Sequence, residues 1–275
     1  MPAPALAAFV SRLPQQQGSF SLWAGPLTGP AVLEFQPYEP HYAASTMKLA
    51  LVIAAYRRAE RGHLDIDARI DVQNSFRSAA DDSPFSLDQA EDEDQRVWQR
   101  LGTEVSLRWL CHRSIVRSSN LATNLVLDAV GMQAVAEVLQ LAGAQDSCVT
   151  RGIEDSVART AGMTNQVTAA DLSGTLRSLV AGRLLSADCA DEVLALLAAQ
   201  QINDAVPAGL PPQTRVAHKS GWVEGISHDA AIISPDDAAP YVFVMCTTSD
   251  LPYGEATALI AAGAAASWAD RRVLG

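Results

Sequence analysis

Apolar and polar positions follow two different rhythms along this chain, and they separate its ends from its middle. Residues from about 3 to 13 carry apolar side chains at helical spacing and predict an amphipathic first helix. Two runs, GSFSLWAG and PAVLEFQ, then read as strands parted by a Gly/Pro turn. A long helix is predicted over STMKLALVIAAYRRAERG. Ser45 is a residue type that caps helix starts, and Gly62 supplies the stop. The near-continuous apolar first half of this helix implies burial on all sides.

From about 64 to 200 the pattern is mostly helical, with clear periods over 104–113, 119–130, 132–142, 168–182 and 187–199. PAGLPP punctuates the chain. Three strand-like runs follow, TRVAHKSGW, SHDAAIIS and YVFVMCTTS, the last two joined by PDDAAP. A final helix covers GEATALIAAGAAASWADRRV. Strands at both ends around a helical middle predict two parts: a discontinuous α/β subdomain of residues 1–40 and 206–275, and a helical subdomain of residues 41–205. An active site is then expected in the crevice between them.

Composition narrows the class. At 275 residues and 48% hydrophobic, the chain can bury a sizeable core. A net charge of -11 excludes nucleic acid as a partner, since nothing would neutralise phosphates. No apolar run approaches the ~18 residues that a membrane span needs. The first residues lack a basic region and do not read as a signal peptide, so the chain as it stands is expected in the cytoplasm, or exported if a leader has been removed. Oligomeric state is not legible. Cys111, Cys148, Cys189 and Cys246 lie in apolar contexts without metal-ligand spacing, and read as free thiols. Residues 78–95, SAADDSPFSLDQAEDEDQ, carry seven acidic residues; a solvated loop and a lid beside the crevice are both open readings.

Basic residues are distributed unevenly. The sequence holds 18 Arg and only two Lys, Lys48 and Lys219. Lysine can surrender its proton when buried, whereas a guanidinium stays charged. Ser45 and Lys48, at i and i+3 of one helix, share a face. Ser45 sits in the first turn, where free backbone N–H groups can stabilise an oxyanion. Lys48 lies among Met47, Leu49, Ala50 and Leu51, where desolvation favours the neutral amine and hence a base toward Ser45.

Further along, RSSNLATNL places Ser118, Ser119 and Asn120 at a helix start, and VAHKSGW places Lys219, Ser220 and Gly221 in a strand. The order S-x-x-K, S-x-N, K-[ST]-G resembles the signature of class A β-lactamases and penicillin-binding proteins. The resemblance covers nearly the whole chain, absorbs both lysines, and extends to Asn124 in LATN. It implies an α+β fold: a five-stranded antiparallel sheet flanked by helices, plus an all-helical subdomain. It implies a serine hydrolase that opens a β-lactam amide through a Ser45 acyl-enzyme, with a penicillin-binding-protein-like peptidase, amidase or esterase as the alternative. Lys48 would be the general base and Ser118 the relay to the leaving nitrogen. Asn120 would hold the substrate's side-chain amide, and Lys219 with Ser220 its carboxylate. The N–H groups of Ser45 and Trp222 would form the oxyanion hole, beside Gly221. The implied partner is a small molecule or peptide bearing a carboxylate, and no cofactor or metal is implied.

The sequence departs from the family pattern in places. Glu154 is the candidate for the deacylating base, but Ala158 stands where the family has an asparagine, and no proline follows Glu154. A structural role for Glu154 and Asp155 in that loop stays open. Ser119 replaces the family's common Asp. Cys111 falls where some members of the family have a disulfide cysteine, but the expected partner position is Val52, so no disulfide is expected. His228 lies about where the family often has an extra basic group for the carboxylate, and a partly buried strand histidine is the alternative. His218 is expected to point away from the site by strand alternation, with Trp222 and Glu224 at its rim.

Overall fold

The computed structural model describes residues 3–275. Its principal strands are β1 (Ser19–Pro26), β2 (Leu33–Phe35), β3 (Arg215–Val223), β4 (Ile226–Ser234) and β5 (Tyr241–Thr248). They form one antiparallel sheet in the order β2-β1-β5-β4-β3. The principal helices are α1 (Pro4–Val10), α2 (Met47–Glu60), α3 (Leu107–Val116), α4 (Asn120–Val130), α5 (Met132–Ala142), α6 (Ser156–Thr160), α7 (Ala169–Val180), α8 (Ala187–Ala198) and α9 (Tyr253–Ala269).

The sheet is the middle layer of the molecule, which explains why β5 reads YVFVMC without polar alternation. One face packs Leu22, Ala231, Phe243 and Met245 against Leu6 and Phe9 of α1 and Ile260 and Ala264 of α9. The other packs Ala230, Ile232, Val242 and Val244 into a larger cluster with the helical region. In α2 every residue from Met47 to Tyr56 is buried, as its apolar sequence requires. The α+β architecture, with its five-stranded sheet and flanking helices, is therefore as expected from the sequence.

Two local readings are corrected. Ser45 does not cap α2: it lies in a 3₁₀ turn, Ala44–Thr46, that runs into the helix, and its side chain makes no capping hydrogen bond. Residues 104–106 form a short strand paired with Arg69–Asp71, so the following helix starts at Leu107. All four cysteines are free.

Five of the seven acids in the stretch 78–95, Asp81, Asp82, Asp88, Glu91 and Glu93, are exposed, as a solvated loop requires, but two are not. Asp92 and Asp94 are buried. Asp92 Oδ2 accepts from Trp98 Nε1 at 3.0 Å, Ser119 Oγ at 3.2 Å and the Leu121 amide at 2.8 Å. Asp94 pairs with the buried Arg113 guanidinium. The stretch thus fastens the start of α4, the helix that opens with Asn120.

Candidate active site

Ser45 enters the cleft on a strained turn. The preceding residue, Ala44, has φ 44°, in the left-handed region that β-carbon sterics disfavour. Strand β3, at the edge of the sheet, passes directly behind it. A β-carbon on Gly221 would stand 2.8 Å from both the Ser45 and Thr46 nitrogens. Only glycine leaves room for the strand beside these amides.

Lys48, one turn into α2, is fully buried. Its Nζ donates to the Ser118 carbonyl at 2.6 Å and to Asn120 Oδ1 at 2.9 Å, and lies 3.2 Å from Ser118 Oγ. Lys219, on β3 and also fully buried, reaches the same Ser118 Oγ at 3.1 Å and the Ser220 carbonyl at 2.6 Å. Ser118 itself is held at φ 55°, in the bend between α3 and α4. Two lysines meeting at one hydroxyl cannot both be comfortable as ammonium ions. Burial, and then the charge of Lys219, lowers the Lys48 pKa well below the ordinary lysine value. Burial lowers Lys219 to about 7, opposed by the carboxylate of Asp229. A neutral Lys48 spends its two N–H bonds on the Ser118 carbonyl and Asn120 and keeps a lone pair for a hydroxyl proton. The arrangement can take a proton from a serine and pass it through Ser118.

Asn120 and Asn124 stand at successive turns of α4. Asn120 Nδ2 donates to the Glu91 carbonyl at 3.2 Å, so the acidic stretch forms one wall of the cleft. Asn124 clamps the loop before α6: its Nδ2 donates to the Ile153 carbonyl at 3.0 Å and its Oδ1 accepts the Ile153 amide at 2.9 Å. The resemblance extended to Asn124 but did not assign it this clamp.

Glu154, next in that loop, is not brought into the lysine network. Its Oε2 accepts the Asp88 amide at 2.7 Å, and its Oε1 is buried without a hydrogen-bond partner. Burial, and the nearby Asp88, Asp92 and Glu91, raise its pKa above the ordinary carboxylate value. The charged neighbours that shift Lys48 are Lys219, Asp92 and Glu93. Asp155 has a structural part: it caps α6 through the Ala158 amide and accepts from Ser78 Oγ and the Ala79 amide.

His228 does not face the cleft as a basic group. It is buried, its Nε2 donates to the Tyr42 carbonyl at 2.8 Å, and its Nδ1 accepts the Thr247 amide at 3.1 Å. Burial lowers its pKa to about 4, so the ring is neutral near pH 7 and has no charge to offer a carboxylate. Asp229 belongs to His218 instead, which it meets at 2.9 Å, and it also accepts the Val206 amide. His218 points to Asn203 and away from Ser45, in line with strand alternation. Trp222 is partly exposed at the rim and packs against Tyr253, with ring centroids 4.9 Å apart.

Sequence reasoning missed Asp92, whose contacts to the start of α4, with Ser119 and Leu121, span 27 and 29 positions and leave no local signal. It also missed the strain at Ala44, although the glycine facing that turn, Gly221, is part of the K-S-G motif.

The fold is shared with solved structures. A PBP-A variant in an acyl-enzyme complex with penicillin G superposes with a TM-score of 0.80 at 19% identity, covering 97% of this chain and 95% of that one. A β-lactamase from Sphaerobacter thermophilus gives 0.81 at 24% identity, covering 97% of each chain. A β-lactamase from Xanthomonas campestris pv. campestris gives 0.84 at 21% identity, covering 100% and 99%. No curated protein matches the chain. A family model described as the β-lactamase enzyme family matches residues 4–269. With that span covering almost the whole sequence, the chain belongs to the β-lactamase enzyme family and is a serine β-lactamase-like hydrolase.

Proposed function

We propose that the protein is acylated at Ser45 by β-lactams or related acyl compounds bearing a carboxylate, and releases the acyl group to water. The observation that carries this reading is the convergence of Lys48 and Lys219 on Ser118 Oγ, at 3.2 and 3.1 Å. In the proposed reaction, neutral Lys48 removes the Ser45 hydroxyl proton and Oγ attacks the amide carbonyl. The amides of Ser45 and Trp222 hold the developing oxyanion. The carbon–nitrogen bond breaks as Ser118 Oγ delivers a proton to the nitrogen, recovering one from Lys48. Lys219 and Ser220 bind the carboxylate and Asn120 the substrate's side-chain amide. Water then cleaves the Ser45 ester, regenerating the hydroxyl and releasing the acid.

A second observation bears on the last step. Glu154 is held by the Asp88 amide and surrounded by other acids rather than by a lysine. This favours slow release of the acyl group, the behaviour of a penicillin-binding protein, over rapid turnover.

The test is intact mass of the protein with benzylpenicillin from seconds to hours, beside Ser45→Ala. An adduct on the native chain that persists, and is absent in the variant, supports acylation with slow release. A fleeting adduct with rapid product formation supports an efficient β-lactamase. An equal adduct on Ser45→Ala removes Ser45 from the reaction.

A further inference from the structure

A second group of basic residues lies at the far end of α2, about 20 Å along the helix from Ser45 at 1.5 Å per residue. Here Arg57, Arg58, Arg61 and His63 line a cavity of about 220 Å³ together with Gln133 and Glu137 of α5. At roughly 30 Å³ of liquid per water molecule, such a space holds several waters or one small ion.

Cations at a helix C-terminus often serve the helix itself, by bonding its last carbonyls. That role is already filled. The Arg57, Arg58 and Ala59 carbonyls accept the amides of Arg61, His63 and Gly62, with Gly62 in the left-handed region at φ 71°. The arginine heads do not find acids either. Arg57 gives one N–H to the Leu184 carbonyl, and the Nε atoms of both Arg57 and Arg58 are buried without a partner. Among the described residues, neither Arg58 nor Arg61 has a salt bridge, in a chain that has 31 acidic residues against 20 basic ones.

The opposite wall points the same way. It is formed by Gln133, Ala134 and Glu137 in the first two turns of α5, a helix whose N-cap is Gly131 and which has no side-chain cap. Uncapped N–H groups and the positive end of an 11-residue helix attract an anion. Glu137 is the one acid in the lining and is exposed, against three arginines and a histidine.

We propose that this cavity binds a small oxyanion of the phosphate class carrying two or more negative charges. The arginine forks would hold its oxygens in pairs, using N–H groups that the fold leaves without partners. The first-turn amides of α5 would complete the site. Glu137 would limit the affinity, being the only like charge in the lining.

The test is a thermal-unfolding titration of the full chain with sodium diphosphate and, separately, with inorganic phosphate, at ionic strength held constant with chloride. A ligand that binds only the folded state raises the unfolding temperature along a saturating curve. The proposal predicts such a curve for diphosphate and a weaker one for phosphate. It predicts at least a tenfold weaker response in Arg58→Ala/Arg61→Ala and a tighter one in Glu137→Gln. Acylation of the double variant by benzylpenicillin at the native rate reports that it is folded; Arg61→Gln, at an exposed position, serves if it is not. No saturable response in the native chain, or an equal response in the arginine variants, overturns the site.

Discussion

Lys48 and Lys219 come from different elements, α2 and β3, and reach the same oxygen, Ser118 Oγ. Both are wholly buried, and each has its pKa lowered. The pair therefore divides labour by protonation state. In the proposed reaction Lys48 is the base, since burial and Lys219 both lower its pKa well below the ordinary lysine value, while Lys219 keeps its proton up to about 7. In kcat/KM for a carboxylate-bearing substrate, an alkaline limb with a midpoint near 7 is expected as Lys219 loses its charge. A substrate without the carboxylate should lack that limb. Parallel pH profiles of the two substrate classes check this.

The same shift has a consequence for stability. An unfolded lysine titrates near 10.5, whereas folded Lys219 does so near 7. Between these values the unfolded chain binds a proton that the folded one has released, so stability rises with pH across this window, by up to about 1.4 kcal/mol per unit. Below about 7 both states are protonated and the penalty of the buried ammonium is complete. Lys219→Met should therefore be more stable than the native chain at pH 7, and nearly equal to it at pH 10. Denaturant unfolding at the two values decides it.

Ser118→Ala removes the hydroxyl on which both lysines converge but leaves the Ser118 carbonyl that anchors Lys48. Relay through a positioned group contributes about 10²- to 10⁴-fold to rate. Acylation of Ser45 should slow by that order, while the fold persists. Stopped-flow acylation with a chromogenic cephalosporin measures the rate, and an unchanged rate would show that the proton takes another path.

Glu154→Gln should leave release of the acyl group unchanged within about twofold. The carboxylate meets the Asp88 amide, a bond that the glutamine carbonyl oxygen can still accept. Decay of a preformed penicilloyl adduct, followed by mass, checks the prediction. A large slowing would place Glu154 at the deacylating water.

Gly221→Ala tests the close approach of β3 to the nucleophile turn. The added methyl would press on two backbone nitrogens 2.8 Å away, which cannot rotate aside as a side chain can. Overpacking of this kind costs about 1–3 kcal/mol. The strand must shift from Ser45, so acylation should fall even where the variant folds. Thermal unfolding and acylation rate should move together.

The order of elements, the sheet and the two lysines were legible because they depend on short-range pattern. Apolar period separates β5 from α2, and the S-x-x-K spacing puts Ser45 and Lys48 on one face whatever surrounds them. The same local logic failed at Ser45 as a cap. A serine before an apolar run predicts an N-cap, but here the 3₁₀ turn extends past it and leaves the hydroxyl for other work. His228 could not be resolved from sequence, since a strand histidine can face a cleft or a neighbouring carbonyl equally well; the Tyr42 carbonyl decided it. The acidic stretch was legible only in part, since five of its acids are exposed and two are not. Seven acids in 18 residues predict solvation, and only the arrival of Arg113, Ser119 and Leu121 from later in the chain makes Asp92 and Asp94 buried partners.

Asp92 is the strongest test of that last point. It accepts four hydrogen bonds in a buried position, two of them from Ser119 and Leu121 at the start of α4 and the others from Trp98 and the Asp94 amide. Between these two residues lies Asn120, whose Oδ1 accepts from Lys48. Asp92→Ala leaves the Trp98 indole N–H and the Leu121 amide without an acceptor, at about 1–3 kcal/mol for each buried group left unpaired. The variant should lose stability on that scale. It should also lose acylation rate beyond what unfolding explains, because the turn presenting Ser118 and Asn120 to Lys48 is no longer held. Asp92→Asn retains one acceptor oxygen and should recover part of both. Urea unfolding sets the first quantity and Ser45 acylation under fully folded conditions the second. If Asp92→Ala were as stable as the native chain, Asp92 would not be what fastens the start of α4.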